Sequence, residues 1–133
     1  MVRGLEKAGV WAPNWDMYAL SSAGGIKTCA QDFARFIQLQ FSSDPAVVMT
    51  HEPAFKIEDN YYVGLGWHII DRPNGERWLN HGGGMLGYTA NVNVNVRRKC
   101  ATIVLSNLGS VQNWQNKSFE LGRDLLKDLE AGC

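Results

Sequence analysis

A chain of 133 residues and 14.8 kDa that is 45% hydrophobic and 20% charged has the composition of one ordinary globular domain, which excludes disorder and low complexity. Thirteen basic residues balance thirteen acidic ones at a pI near 6.8, so the chain has no electrostatic footprint for nucleic acid or an anionic membrane surface. Its longest apolar runs, such as Ala101 to Leu105, fall far short of the roughly 20 residues that cross a bilayer, and MVRGLEKAGVWAPNW lacks the apolar core of a signal peptide.

The opening stretch to Ser22 is rich in Trp, Pro, Gly and Asn without a period and reads as an irregular segment lying on something else. Thr28-Cys29-Ala30-Gln31 then fits a capping box. The positions Ala30, Phe33, Ala34, Ile37 and Phe41 follow a helical period that Ser42, Ser43 and Pro45 end. From Val47 to Ile57 the pattern is mixed, and with two nearby prolines it predicts loop and short turns. Tyr61 to Ile70 reads as a strand running into the turn Asp71-Arg72-Pro73-Asn74-Gly75, with Arg77 to Asn80 opening the strand that returns.

Ala90, Val92, Val94 and Val96 alternate with Asn91, Asn93 and Asn95, the period of a strand with one apolar and one polar face. Arg97-Arg98-Lys99 turns into Ala101–Leu105, an apolar run of the kind found in a strand buried on both faces. The stretch from Trp114 to Leu129 is an amphipathic helix with Phe119, Gly122, Leu125, Leu126 and Leu129 inward. The order helix, three or four antiparallel strands, helix defines an α+β fold, an antiparallel sheet flanked by helices.

Cys29, Cys100 and Cys133 are odd in number and widely spaced, so they signal neither a disulfide framework nor a zinc site, and read as buried or incidental thiols. No cofactor or metal is expected. His51 and His68 are isolated in sequence and receive no catalytic role, and the five Trp residues are read as packing. Asn80-His81-Gly82-Gly83-Gly84-Met85-Leu86-Gly87-Tyr88 is the one stretch with a chemical signature. Its four glycines free the backbone to approach a ligand, and its His titrates near neutrality. The same residues also fit a β-bulge and a tight turn with a surface His.

Taken together, SAGGIKTCAQDFARFIQ, YYVGLGWHII, HGGGMLGYTANVNVNVRRKCATIVLSN and the closing helix resemble in order and spacing the C-terminal part of the class C β-lactamase-like serine hydrolases, which include DD-peptidases and serine esterases. The resemblance spans nearly all of residues 20–130. It implies that His81, Gly82 and Gly83 match the third catalytic motif, Lys or His, then a small residue, then Gly, on a strand beside the nucleophile. It implies that the Gly84 N–H is an oxyanion donor, that His81 hydrogen-bonds the catalytic tyrosine or the substrate, and that Asn107 lines the far side of the cleft.

The chain departs from that family in two respects. Gly82 lacks the hydroxyl that in many members grips a substrate carboxylate, and a neutral His81 replaces a fixed ammonium, so carboxylate-bearing β-lactams are expected to bind poorly. None of Ser21, Ser22, Ser42, Ser43, Ser106, Ser110 and Ser118 is followed three residues later by the Lys of Ser-x-x-Lys, and no Tyr opens a Tyr-x-Asn or Tyr-x-Ser motif. The expectation is a single partial domain over residues 1–133, the C-terminal portion of a larger fold, supplying a wall and a donor but no nucleophile. An ester or amide would be the substrate of the intact protein. The missing N-terminal portion, or a second copy, would pair with the free edge of Ala101–Leu105. The His-Gly-Gly-Gly motif of α/β-hydrolases is the rival reading, but the chain has no Gly-x-Ser-x-Gly. A non-catalytic binding or interaction module on the same fold is the alternative function.

Overall fold

The computed structural model describes residues 2–6, 9–14, 16–109 and 117–132. Its centre is one six-stranded antiparallel sheet in sequential order, made of β1 (Phe55–Glu58), β2 (Tyr61–Val63), β3 (His68–Asp71), β4 (Arg77–Met85), β5 (Tyr88–Asn95) and β6 (Cys100–Ser106). One turn of helix, α1 (Ser21–Gly24), precedes α2 (Ala30–Leu39) and α3 (Pro45–Thr50), and α4 (Lys117–Ala131) closes the chain. Every neighbouring pair of strands is consecutive in sequence. The α+β architecture expected from the order of elements is therefore the one observed.

Several local expectations are corrected. Helix α2 begins as expected, but Thr28 does not cap it: its hydroxyl donates to the Cys29 carbonyl, and Cys29, itself exposed rather than buried, is the N-cap, its thiol directed to Asp32 Oδ2 and not to a backbone N–H. The stretch expected to be loop holds α3 and β1, because Pro45 stands at a helix start, where its missing N–H costs nothing, and Asp44 Oδ1 accepts from the Ala46 N–H at 2.8 Å. The single strand expected over Tyr61–Ile70 is two strands. Gly66, at φ +83°, turns the chain, and the Gly64 N–H closes the turn on the Trp67 carbonyl at 2.8 Å.

The alternation in β5 puts residues on two faces, and both are covered. Val92 and Val94 join Ile37, Trp67, Ile69 and Leu79 in the apolar core under α2, with Phe33, Phe41 and Ile103 packed against it. Asn91, Asn93 and Asn95 face α4 and are at most 1% exposed. Their amides are satisfied internally. Asn93 Nδ2 donates to Asn91 Oδ1 at 2.7 Å, Asn80 Nδ2 to Asn93 Oδ1 at 2.7 Å, and Thr102 Oγ1 to the Gly122 carbonyl of α4 at 2.7 Å. At the other end of the helix, Asn95 and the buried Trp78 indole both donate to Glu130 of α4, while Glu76 pairs with Arg98 at 2.5 Å. Gly122 permits this fit, since a Cβ there would stand 2.5 Å from Asn91 Oδ1.

Leu125 and Leu129, expected to face inward, are 43% and 45% exposed, and Leu121 is exposed beside them. Strand β6, expected to be buried on both faces, pairs with β5 only and has Thr102 as its one buried residue among those described. Of the tryptophans, Trp67 and Trp78 are core, Trp11 is half exposed under the Arg3 guanidinium, and Trp15 and Trp114 lie outside the described residues.

Candidate active site

The segment from Asn80 to Tyr88 forms the end of β4, the two-residue turn Leu86-Gly87 and the start of β5, with Met85 opposite Tyr88. His81 to Gly84 are therefore regular strand rather than bulge, each paired across to β5 from Val92 to Thr89. The β3–β4 ladder ends at His68↔Asn80. From His81 to Met85, β4 consequently has β5 on one side and, among the described residues, no strand on the other. Such an edge offers backbone donors and acceptors to an extended ligand or to a developing negative charge.

Alternation along this strand separates the two middle glycines. Gly82 lies opposite Asn91 on the α4 face, where an added Cβ would come within 2.5 Å of the Phe119 ring and 2.9 Å of the Ala90 carbonyl. Its smallness lets α4 approach. Gly83 faces the other way, where a Cβ would meet nothing within 4 Å.

That open space belongs to a cleft of about 730 Å³. Gly83, Gly84, Met85 and Leu86 form one wall, Leu105 and Ser106 of β6 lie on the floor, and the chain from Met17 through α1 to Thr28 forms the opposite wall. Leu86 is held at φ +38° and Tyr18 at φ +43°, conformations costly for side-chain-bearing residues, and both border the cleft. Buttressing comes from the N-terminal segment, whose resting place was unspecified in the sequence. The Leu5 N–H donates to the Asn107 carbonyl at 2.7 Å, the Gly109 N–H to the Leu5 carbonyl at 2.7 Å, and the Tyr88 hydroxyl to the Val2 carbonyl at 2.9 Å.

The expected site residues are thus distributed unevenly. Gly83 and Gly84 border the cleft, while His81 stands two residues back on the open edge with an exposed ring. Partial desolvation, and then the neighbouring His68, hold its pKa below the usual imidazole value, so the ring is neutral at pH 7. Asn107 follows Ser106 of the floor, but its amide donates to the Arg3 carbonyl at 3.1 Å.

Sequence reasoning gave His68 no part, yet its ring lies 6.0 Å from that of His81, with Tyr61 behind it. No periodicity signals this contact, because it depends on β3 stopping one residue short of His81. His51, also set aside, meets Gln40 at 3.0 Å, away from the cleft. Among the described residues no group of three or more His, Cys, Asp or Glu side chains is placed to hold a metal.

The glycine-walled strand edge, the cleft beside it and the sheet between helices together define a β-lactamase-type fold. The chain matches the Beta-lactamase family model over residues 3–117 and belongs to that family. Among solved structures it is similar to a class C beta-lactamase, with a TM-score of 0.80 at 18% identity over 96% of this chain. A class C beta-lactamase with a tyrosine-to-phenylalanine mutation gives 0.79 at 18% identity, again over 96%. The chain spans 43% of the length of each of these structures. No curated protein matches it.

Proposed function

We propose that this chain is a single partial domain, the C-terminal portion of a β-lactamase-related serine hydrolase that works by acyl transfer on esters, amides or D-amino-acid peptides. It contributes the third motif, His81-Gly82-Gly83, and the Gly84 N–H as an oxyanion donor, while the nucleophile and its base come from the N-terminal portion of the fold. The observation that carries this reading is the unpaired edge of β4 from His81 to Met85, opening beside the cleft at the bare Gly83.

When a serine attacks the acyl carbon, the carbonyl oxygen becomes an anion. A fixed backbone donor such as the Gly84 N–H stabilises that state over the ground state by about 3–4 kcal/mol. Neutral His81 carries both a donor and an acceptor nitrogen, so it can orient the catalytic tyrosine or the substrate where a lysine could only donate. Gly82 brings no hydroxyl for a substrate carboxylate, which favours uncharged esters over penicillins. Asn107 would reach substrate only by giving up its hydrogen bond to the Arg3 carbonyl.

The partner reading draws on the surfaces left open. Leu121, Leu125 and Leu129 of α4 are exposed, and among the described residues β6 pairs with β5 alone. The N-terminal portion of the same fold would add its strand there, and a second copy is the competing occupant. In the whole protein, His81→Ala should lower kcat for a p-nitrophenyl ester by about 10²-fold or more with little change in Tm. Equal loss of stability and activity would make His81 structural, and a kcat/KM higher for a penicillin than for a short-chain ester would reverse the substrate assignment. A non-catalytic module would show neither activity nor labelling by a fluorophosphonate.

A further inference from the structure

Strands β2, β3 and β4 bring three rings together where β4 leaves its partner. The Tyr61 hydroxyl lies 2.9 Å from His68 Nδ1, and the two rings stack with centroids 5.5 Å apart and planes inclined by 20°. The His68 ring in turn lies 6.0 Å from that of His81, tilted by 36°. Tyr61 and His68 are half-buried, and His81 is exposed. The anchored end is thus the interior hairpin, and the free end is the site strand.

We propose that His68, oriented by the Tyr61 hydroxyl, is a positioning residue for His81, packing beside its imidazole and setting when it takes up a proton. The contact with the Tyr61 hydroxyl gives the His68 ring one defined orientation, whichever of the two atoms donates. At this separation the His68 ring disfavours the charged form of His81. The direction of the His81 shift agrees: after desolvation, His68 is the charge that lowers it. Among the described residues, His68 bears on His81, and Glu58 of β1 bears on Tyr61.

This inference rests on the proposed role of His81, and the experiment keeps the two apart. Histidine ring resonances are followed by NMR against pH in the unaltered chain and in the His68→Phe, His68→Gln and Tyr61→Phe variants. Expected is a His81 midpoint below 6.5 that rises in both His68 variants, with a smaller change in Tyr61→Phe, where only the anchor of His68 is lost. His68→Phe keeps an aromatic ring, so the sheet survives if His68→Gln disturbs it. An unchanged His81 midpoint in folded His68→Phe would overturn the proposal. In the whole protein the acidic limb of kcat/KM for an ester should move to higher pH in His68→Phe. A moved midpoint with an unmoved limb would uphold the pairing and sink the catalytic role of His81 instead.

Discussion

The two faces of the sheet are finished to different degrees. Under α4 lies polar chemistry largely withdrawn from water: three asparagines, Thr102 and Glu76 are at most 7% exposed, and no described buried side-chain polar atom lacks a partner. Opposite it, an apolar cluster carries α2, but that face gives way to a cleft, and the sheet ends in the bare edge of β6. The closed face is where helix and strands must keep one register. A directional amide ladder does that better than interchangeable apolar contacts. The open face borders the cleft proposed as the site.

Predictions can break this contrast, beginning with the closed face. Trp78→Ala removes a 1% exposed indole that also anchors Glu130, and should cost about 3–5 kcal/mol in denaturant unfolding. A loss below about 1 kcal/mol, the size of an ordinary substitution, would mean that α4 is not held there. Gly122→Ala pushes a methyl into the Asn91 and Asn93 amides and should cost about 1–3 kcal/mol. Unaltered stability would show that the ladder can yield.

Gly82→Ala and Gly83→Ala sharpen the comparison within one strand. The first runs into Phe119 and should lower Tm. The second meets open space and should leave stability within about 0.5 kcal/mol while lowering kcat/KM of the whole protein, because its methyl enters the cleft. The reverse pattern would exchange the two faces.

Much of this was legible in the sequence. The α2 period, the β5 alternation and the Asp71–Gly75 turn are local signals, and the His81–Tyr88 stretch is dense enough in glycine to mark itself. What escaped were matters decided between distant segments. An Asn on alternate positions looks solvated whether it meets water or Thr102, and only α4 settles which. An apolar run such as Ala101–Leu105 looks buried on both faces whether or not other elements cover it, and here only Thr102 is buried. Gly82 and Gly83 are identical letters, separated in role only once register assigns one to Phe119 and the other to the cleft.

A smaller effect concerns acid. Glu76 has its pKa lowered, first by its hydrogen bond to Arg98, so it is ionised more readily folded than unfolded. Its contribution is complete above the ordinary value of 4.5 and is lost as pH falls through the depressed one. Stability should therefore decline in that acid range, and the decline should shrink in Glu76→Gln. An identical acid profile in the variant would remove Glu76 from the account.

The central claim is that these residues form the wall of an acyl-transfer site and not its nucleophile. The direct measurement is fluorophosphonate labelling of the 133-residue chain and of the whole protein, with the labelled serine located by peptide mass spectrometry. The account predicts no label on the chain, and a label on the whole protein at a serine outside it. A label on Ser21 or Ser106, the serines that line the cleft, or on any other serine of this chain, would contradict it.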